Sequence, residues 1–309
     1  MLTRSKPIKQ CVILSGKGGT GKTSICAGLI DISSKHVEGV YVDADVDAAN
    51  LALVMDAVQQ EIHRFTGSKL AFIEPEKCIN CGFCYDVCRY HAIKEPTDDQ
   101  PTHQVIDLLC DGCGACVYGC PTTAIHMEVQ EEGEWYYSTS SFGDLFHAEL
   151  FPAAENTGKL VTMVKQNAKL FAEEHQKSLM LVDGPPGIGC PVISASAGAN
   201  LALVVTEPSV AGIHDLNRIL QTLKHFDIPT LICINKSDLY PEGTAQIKAL
   251  AQSENLEVCG EIPFDDDIPK AMIAAQPITQ YSPNSASSRT IEQIWNVIYD
   301  KLFDQDGKV

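Results

Sequence analysis

Eight cysteines fall in two tight quartets, CINCGFCYDVC at 78–88 and CDGCGACVYGC at 110–120. The second run repeats the first 32 residues later: Cys78 matches Cys110, Cys81 matches Cys113, Cys84 matches Cys116 and Cys88 matches Cys120. Ala92-Ile93 returns as Ala124-Ile125. Thiolates at this density point to metal ligation, and thirteen cysteines without an export pattern argue against a disulfide framework. Structural zinc takes four ligands, usually two close pairs divided by a longer loop; two tight quartets suit iron–sulfur cubanes better. A second constellation lies at 16–23, GKGGTGKT. Gly16, Gly18, Gly19 and Gly21 let the backbone, Thr20 included, turn tightly and aim N–H groups at phosphate oxygens. Lys22 reaches the outer phosphates and the Thr23 hydroxyl serves magnesium.

These groups need a scaffold. The run CVILS at 11–15 reads as a buried strand and SICAGLIDI as the helix that follows the loop, the context that G-x-x-x-x-G-K-[ST] requires. In VEGVYVDADVDAAN a β-rich run precedes Asp43, Asp45 and Asp47, and in LMLVDGPPGIGCP a buried strand ends at Asp183. Further strands at 199–209 and 230–238 alternate with helical patterns near 213–226 and 243–255, which argues a parallel, doubly wound sheet.

Lys17 gives the loop its particular character. KGGTGK resembles the deviant Walker A motif of the class that includes MinD, ParA, the Mrp-type cluster carriers and the nitrogenase iron protein. The resemblance implies ATP sandwiched in a homodimer, with Lys17 reaching across to the partner's phosphates. It also implies that Asp43 lies near the magnesium shell, that Asp45 orients or activates the attacking water, and that Asp183 holds a magnesium-bound water in switch II. NKSD resembles the class's base-contacting segment, with Asn235 as the adenine contact, and EIPFDDDI resembles the other wall of that pocket, at Pro263. Asp47 has no matching role and is read as a helix cap.

The cysteine unit resembles a two-cluster bacterial ferredoxin, C-x₂-C-x₂-C-x₃-C. The pattern implies one 4Fe–4S cluster on Cys78, Cys81, Cys84 and Cys120, and another on Cys110, Cys113, Cys116 and Cys88, because the fourth ligand crosses between repeats. Pro121 follows the last cysteine as the pattern expects, whereas Arg89 replaces proline in the first repeat and adds a positive charge that would raise the second cluster's potential. The expected architecture is an α/β, doubly wound, mostly parallel P-loop ATPase domain over 1–70 and 130–309. A small α+β ferredoxin domain with two 4Fe–4S clusters is inserted at 71–129.

Five cysteines remain, and Cys11, Cys26, Cys233 and Cys259 read as small core residues. Cys190 follows Asp183 in a loop expected to move, so it is a candidate for a bridging metal or cluster, beside the plainer reading of a turn cysteine before Pro191. His147 has no companion at metal spacing and reads as structural. Ile291, Ile294, Ile298 and Leu302 have helical spacing and mark a core-packing helix rather than a basic membrane helix. The charge of −17 discounts nucleic acid and anionic membranes as partners. No apolar run is long enough to span a membrane. The expectation is a cytoplasmic ATPase using ATP, magnesium and two 4Fe–4S clusters, working with a redox partner protein. The alternative is a cluster or metallocofactor carrier serving an apo-metalloprotein acceptor; a MinD-like spatial organiser ranks third.

Overall fold

The computed structural model describes residues 7–152, 154 and 157–304. Residues 1–6 and the tail beyond 304 lie outside these residues. The strands are β1 (Lys9–Ser15), β2 (Gly39–Asp43), β3 (Val58–Ile73), β4 (Ile93–Lys94), β5 (Gln104–Val105), β6 (Ile125–Ser140), β7 (Gly143–Leu150), β8 (Leu179–Pro186), β9 (Leu201–Thr206), β10 (Thr230–Asn235) and β11 (Glu257–Ile262). The helices are α1 (Lys22–Ser34), α2 (Leu51–Val54), α3 (Phe83–Val87), α4 (Ala115–Tyr118), α5 (Thr157–Glu174), α6 (Cys190–Ser196), α7 (Val210–His225), α8 (Pro241–Ser253), α9 (Asp267–Ile273), α10 (Ile278–Tyr281) and α11 (Ala286–Phe303).

Two compact units emerge. One comprises the chain up to His63, Glu134–Leu150 and everything from Thr157; the other comprises Arg64–Gly133 and a short segment from Phe151. The cysteine-bearing unit is thus somewhat wider than the 71–129 span expected from sequence, because its boundaries fall inside β3 and β6.

In the larger unit β1 pairs in parallel with β8 and β9, β10 with β9 and β11, and β2 with β8 and β7. The sheet order is β11-β10-β9-β1-β8-β2-β7-β6-β3. Only Ser141 and Phe142 join β6 to β7, a connection that antiparallel neighbours alone can make. A mostly parallel sheet with an antiparallel edge is the result. Its central strands are apolar on both faces, as burial by helices on both sides demands. Cys11 and Ile13 pack into one core with Ile25 and Leu29 of α1 and Ile291, Ile294, Trp295, Ile298 and Leu302 of α11. The amphipathic α11 is therefore a core helix, with those five positions buried. Parallel pairing collects the strand carboxyl ends, and their loops, at one edge of the sheet, where open α/β sheets bind ligands.

In the smaller unit β4 pairs antiparallel with β5, Ile93 opposite Val105. Its core is small: Ala71, Ile73, Cys84, Ile93 and Ile125, with most of the other quartet cysteines packed against them. Among the described residues no helix is long and apolar enough to cross a membrane.

Candidate functional site

Gly21 ends the phosphate loop at φ 88°, and a Cβ there would stand 2.3 Å from the Asn235 amide nitrogen, so both backbone and space require glycine. α1 begins at the next residue. Lys22 is buried, with Nζ 2.7 Å from Asp183 Oδ1, 3.8 Å from Asp45 Oδ2 and 3.5 Å from Thr23 Oγ1. Strand register explains the convergence, because Asp43 of β2 lies opposite Asp183 of β8. Asp43 accepts hydrogen bonds from the backbone N–H groups of Asp45, Asn50 and Leu51, which fold the post-β2 loop around it. Burial and the Asp183 charge push the Asp43 carboxyl up to about 7. Burial also raises Asp45. Burial alone would lower Lys22, but the Asp183 carboxylate outweighs it and holds the ammonium above its usual range.

Two buried polar atoms in this region have no partner, Asp183 Oδ2 and Thr20 Oγ1. Orphans of this kind cost about 1–3 kcal/mol each unless a ligand satisfies them, so the donor and acceptor set fits a magnesium nucleotide. The adjoining cleft, about 590 Å³, is lined by the loop from Gly18 to Ser24, by Asp45 and Asn235, and by an apolar wall that includes Phe264, Ile268 and Met272. Pro263 is not among the lining residues; its neighbours Phe264 and Asp265 are. Asn235 donates from Nδ2 to Thr20 O at 2.7 Å and accepts the Lys236 N–H at Oδ1, so it braces the phosphate loop.

Lys17 does not line the cleft. Its Nζ is 2.5 Å from Glu207 Oε1 and donates to Ser209 Oγ at 3.3 Å. Glu207 also pairs with Lys236 at 3.0 Å, and Lys236 reaches Gly19 O at 3.1 Å. Burial opposes the Glu207 charge, yet hydrogen bonds from the two lysines pull its carboxyl below the usual value.

In the smaller unit the sequence repeat is a backbone repeat. Asn80 and Gly112, Gly82 and Gly114, and His91 and Thr123 all have positive φ. Gly82 and Gly114 precede the short helices that carry Cys84 and Cys116. The Ala92 N–H donates to Cys88 Sγ at 3.3 Å and the Ala124 N–H to Cys120 Sγ at 3.2 Å. The repeats also exchange backbone bonds, Glu74 N–H to Ala124 O at 2.8 Å and Ile106 N–H to Ala92 O at 2.7 Å. Two cavities result. Cys78, Cys81, Cys84 and Cys120 line the first; Cys88, Cys110, Cys113 and Cys116 line the second. On the measure that gives the cleft 590 Å³, each holds about 20 Å³, and both are partly open to solvent. Among the described residues no three His, Cys, Asp or Glu side chains form a single-ion site. The thiols surround cavities instead, a donor set that fits a multi-iron cage with one sulfur per iron corner.

The family model for the CobQ/CobB/MinD/ParA nucleotide binding domain matches residues 11–278. The chain belongs to this family. An uncharacterized protein of Methanocaldococcus jannaschii is 33% identical over 96% of each chain. A protein of Pyrococcus horikoshii named as an iron-sulfur cluster carrier is 24% identical, covering 91% of this chain and 82% of its own. An uncharacterized ferredoxin of M. jannaschii is 38% identical over 58 residues, 18% of this chain and 75% of its own. The P. horikoshii septum site-determining protein MinD in complex with Mg-ADP superposes with a TM-score of 0.60 at 18% identity, over 98% of this chain and all of that one; the likeness shows the fold.

As a CobQ/CobB/MinD/ParA member the chain has its loop, Asp43, Asp45 and Asp183 gathered at one sheet edge, but three participants escape a reading of motifs. Lys236 sits inside the NKSD run without a role of its own there, and Glu207 reveals itself only as a residue at the carboxyl end of β9, the position the switch-point rule marks. Met272, whose Sδ accepts the Ser24 hydroxyl at 3.0 Å, has no local signal at all. Cys190 is exposed at the first position of α6. Of the others, Cys11, Cys26 and Cys233 are buried and Cys259 is half-buried. His147 is half-buried, accepts or donates at Ser138 Oγ (2.9 Å), and burial holds it down at about 4.

Proposed function

We propose that this chain binds and hydrolyses ATP and couples a nucleotide-driven switch between two copies to electron transfer through two 4Fe–4S clusters. The observation that carries the reading is the division of eight cysteines between two cavities, each with three thiols from one repeat and the fourth from the other. In this reading Lys22 and the amides of Gly16, Gly18, Gly19, Thr20 and Gly21 bear the phosphates. Thr23 and Asp183 serve magnesium, Asp43 lies behind them, and Asp45 orients the attacking water. Asn235 and the segment around Pro263 flank the adenine. Lys17 acts on the phosphates of the second copy, and must leave Glu207 to do so. The clusters supply one-electron storage; the cysteines fix their position, and the flanking backbone N–H groups of Ala92 and Ala124 stabilise thiolate charge. Cluster-ligating thiolates suit a reducing compartment, so this reading takes the protein as cytoplasmic and working with a redox partner protein.

A second reading, a cluster or cofactor carrier delivering to an apo-metalloprotein, is favoured by exposed Cys190 directly after the Asp183 loop and by the name of the P. horikoshii relative. The deciding experiment measures cluster midpoint potentials in the anaerobically loaded chain with Mg-ADP and then with a non-hydrolysable Mg-ATP analogue. Coupling is reciprocal, so a linked switch shifts the potential; a tenfold effect is about 59 mV for one electron. Potentials unmoved by nucleotide defeat the electron-transfer reading. Iron transfer to an apo-protein that disappears in Cys190→Ser would then establish the carrier.

A further inference from the structure

The two cysteine cavities are related residue by residue through the 32-residue repeat, so each difference between them is informative. Where Ile79 lines the first cavity, Asp111 lines the second. The pair lies at the same place in the loop, directly after the first cysteine of each quartet. Thr122 at the first cavity corresponds to Tyr90 at the second, and the neighbouring Asp111 carboxylate pushes the Tyr90 hydroxyl up. Phe83 corresponds to Ala115, so the first cavity also carries the larger apolar side chain. Asp111 is exposed, so water screens part of its charge, but a carboxylate directly at the cavity mouth still opposes the arrival of an electron there. Arg89 has the opposite sign, but it is not among the residues lining the second cavity, whereas Asp111 is.

We propose that Asp111 makes the second cavity (Cys88, Cys110, Cys113, Cys116) the lower-potential electron site and the first cavity the higher one. An electron delivered to the second site by a one-electron donor protein then passes to the oxidised first site. That step oxidises the second site by one electron and reduces the first by one; no bond is made or broken and no proton moves. The inference rests on the reading that both cavities hold 4Fe–4S clusters, and it gives that reading a downhill direction, from the site beside Tyr90 and Asp111 to the site beside Ile79 and Phe83.

The test uses the full chain, loaded anaerobically with iron and sulfide, counted for both, and titrated with dithionite and mediators under paramagnetic resonance. Asp111→Asn keeps shape and removes charge. It raises the lower of the two potentials by a tenfold change in the reduction equilibrium, about 59 mV, and leaves the upper within twofold. The reciprocal variant Ile79→Asp lowers the upper potential and brings the two together, and it reports even where Asp111→Asn loads poorly. Potentials that stay fixed in an iron-loaded Asp111→Asn, or movement of the upper one instead, overturn the inference alone. So does Arg89→Gln if it lowers the second site by more than Asp111→Asn raises it, since Arg89 would then govern that site. A chain that takes up no iron and sulfide overturns the cluster reading and this inference together.

Discussion

The nucleotide cleft and the cysteine unit differ in how much of their shape the protein's own packing supplies. At the cleft the charges satisfy one another: Lys22 is paired with Asp183, and Glu207 holds both Lys17 and Lys236. The loop is anchored on a sheet buried on both faces, which supports its geometry. The cysteine unit has a core of five buried residues, one of them a cysteine, wrapped about two cavities. A unit of that size cannot bury enough apolar surface for independent stability, and small domains make up the deficit with metals. The lesson is that the larger unit builds its site on its own core, while the smaller one, on the proposed cluster reading, needs its ligand as part of its core.

The strongest way to break that comparison is to remove the iron. Chelation should abolish amide protection across 64–133 while the larger unit keeps its own unfolding transition; hydrogen exchange reads both, and equal loss in the two units would refute the contrast. Lys22→Ala comes next. It deprives the cleft of its buried cation, and turnover should fall by about 10³-fold, with iron content unchanged by colorimetric assay.

A smaller effect sharpens the comparison within the larger unit. Burial holds His147 at about 4 in the fold, against about 6.5 unfolded. The unfolded chain binds the extra proton between those values, so stability from the neutral imidazole is full above pH 6.5 and is lost as pH falls towards 4. The loss is at most about 3 kcal/mol. His147→Gln should therefore show a shallower fall in urea midpoint between pH 7 and pH 5 than the parent chain. The smallest expected effect is that of Cys190→Ser. If the two cavities account for all bound iron, iron per chain stays the same; a drop would mean that the larger unit also depends on metal.

Much of this was legible in residues close together in sequence. The glycine loop, Asp183 on its buried strand and the 32-residue repeat are local patterns, although the strand expected to end at Asp183 runs on to Pro186. The α11 stripe at Ile291, Ile294, Ile298 and Leu302 was equally plain from its spacing. Long-range partners were not. Nothing near Ser24 announces Met272, and nothing near Lys17 announces Glu207, because those contacts depend on which strands become neighbours. The edge of the smaller unit was blurred for the same reason: the Phe151 N–H bonds Glu132 O, tying a later segment back to the cysteine unit across β7. Asp111 was visible as a letter in CDGC, but its meaning required Ile79 to occupy the matching wall.

The exchange of the last cysteine between repeats has a consequence for ageing. Each half of the duplication lends its final thiol to the other half's cavity, so neither half can be deleted, truncated or spoiled by itself. Oxidation of Cys88 or Cys120 damages a site whose other three cysteines belong to the opposite repeat, and oxidation of any other member strands a thiol lent by that repeat. Cys81 and Cys113 are the exposed members, one at each cavity. The working life of the whole unit in air is therefore set by whichever of these two is struck first.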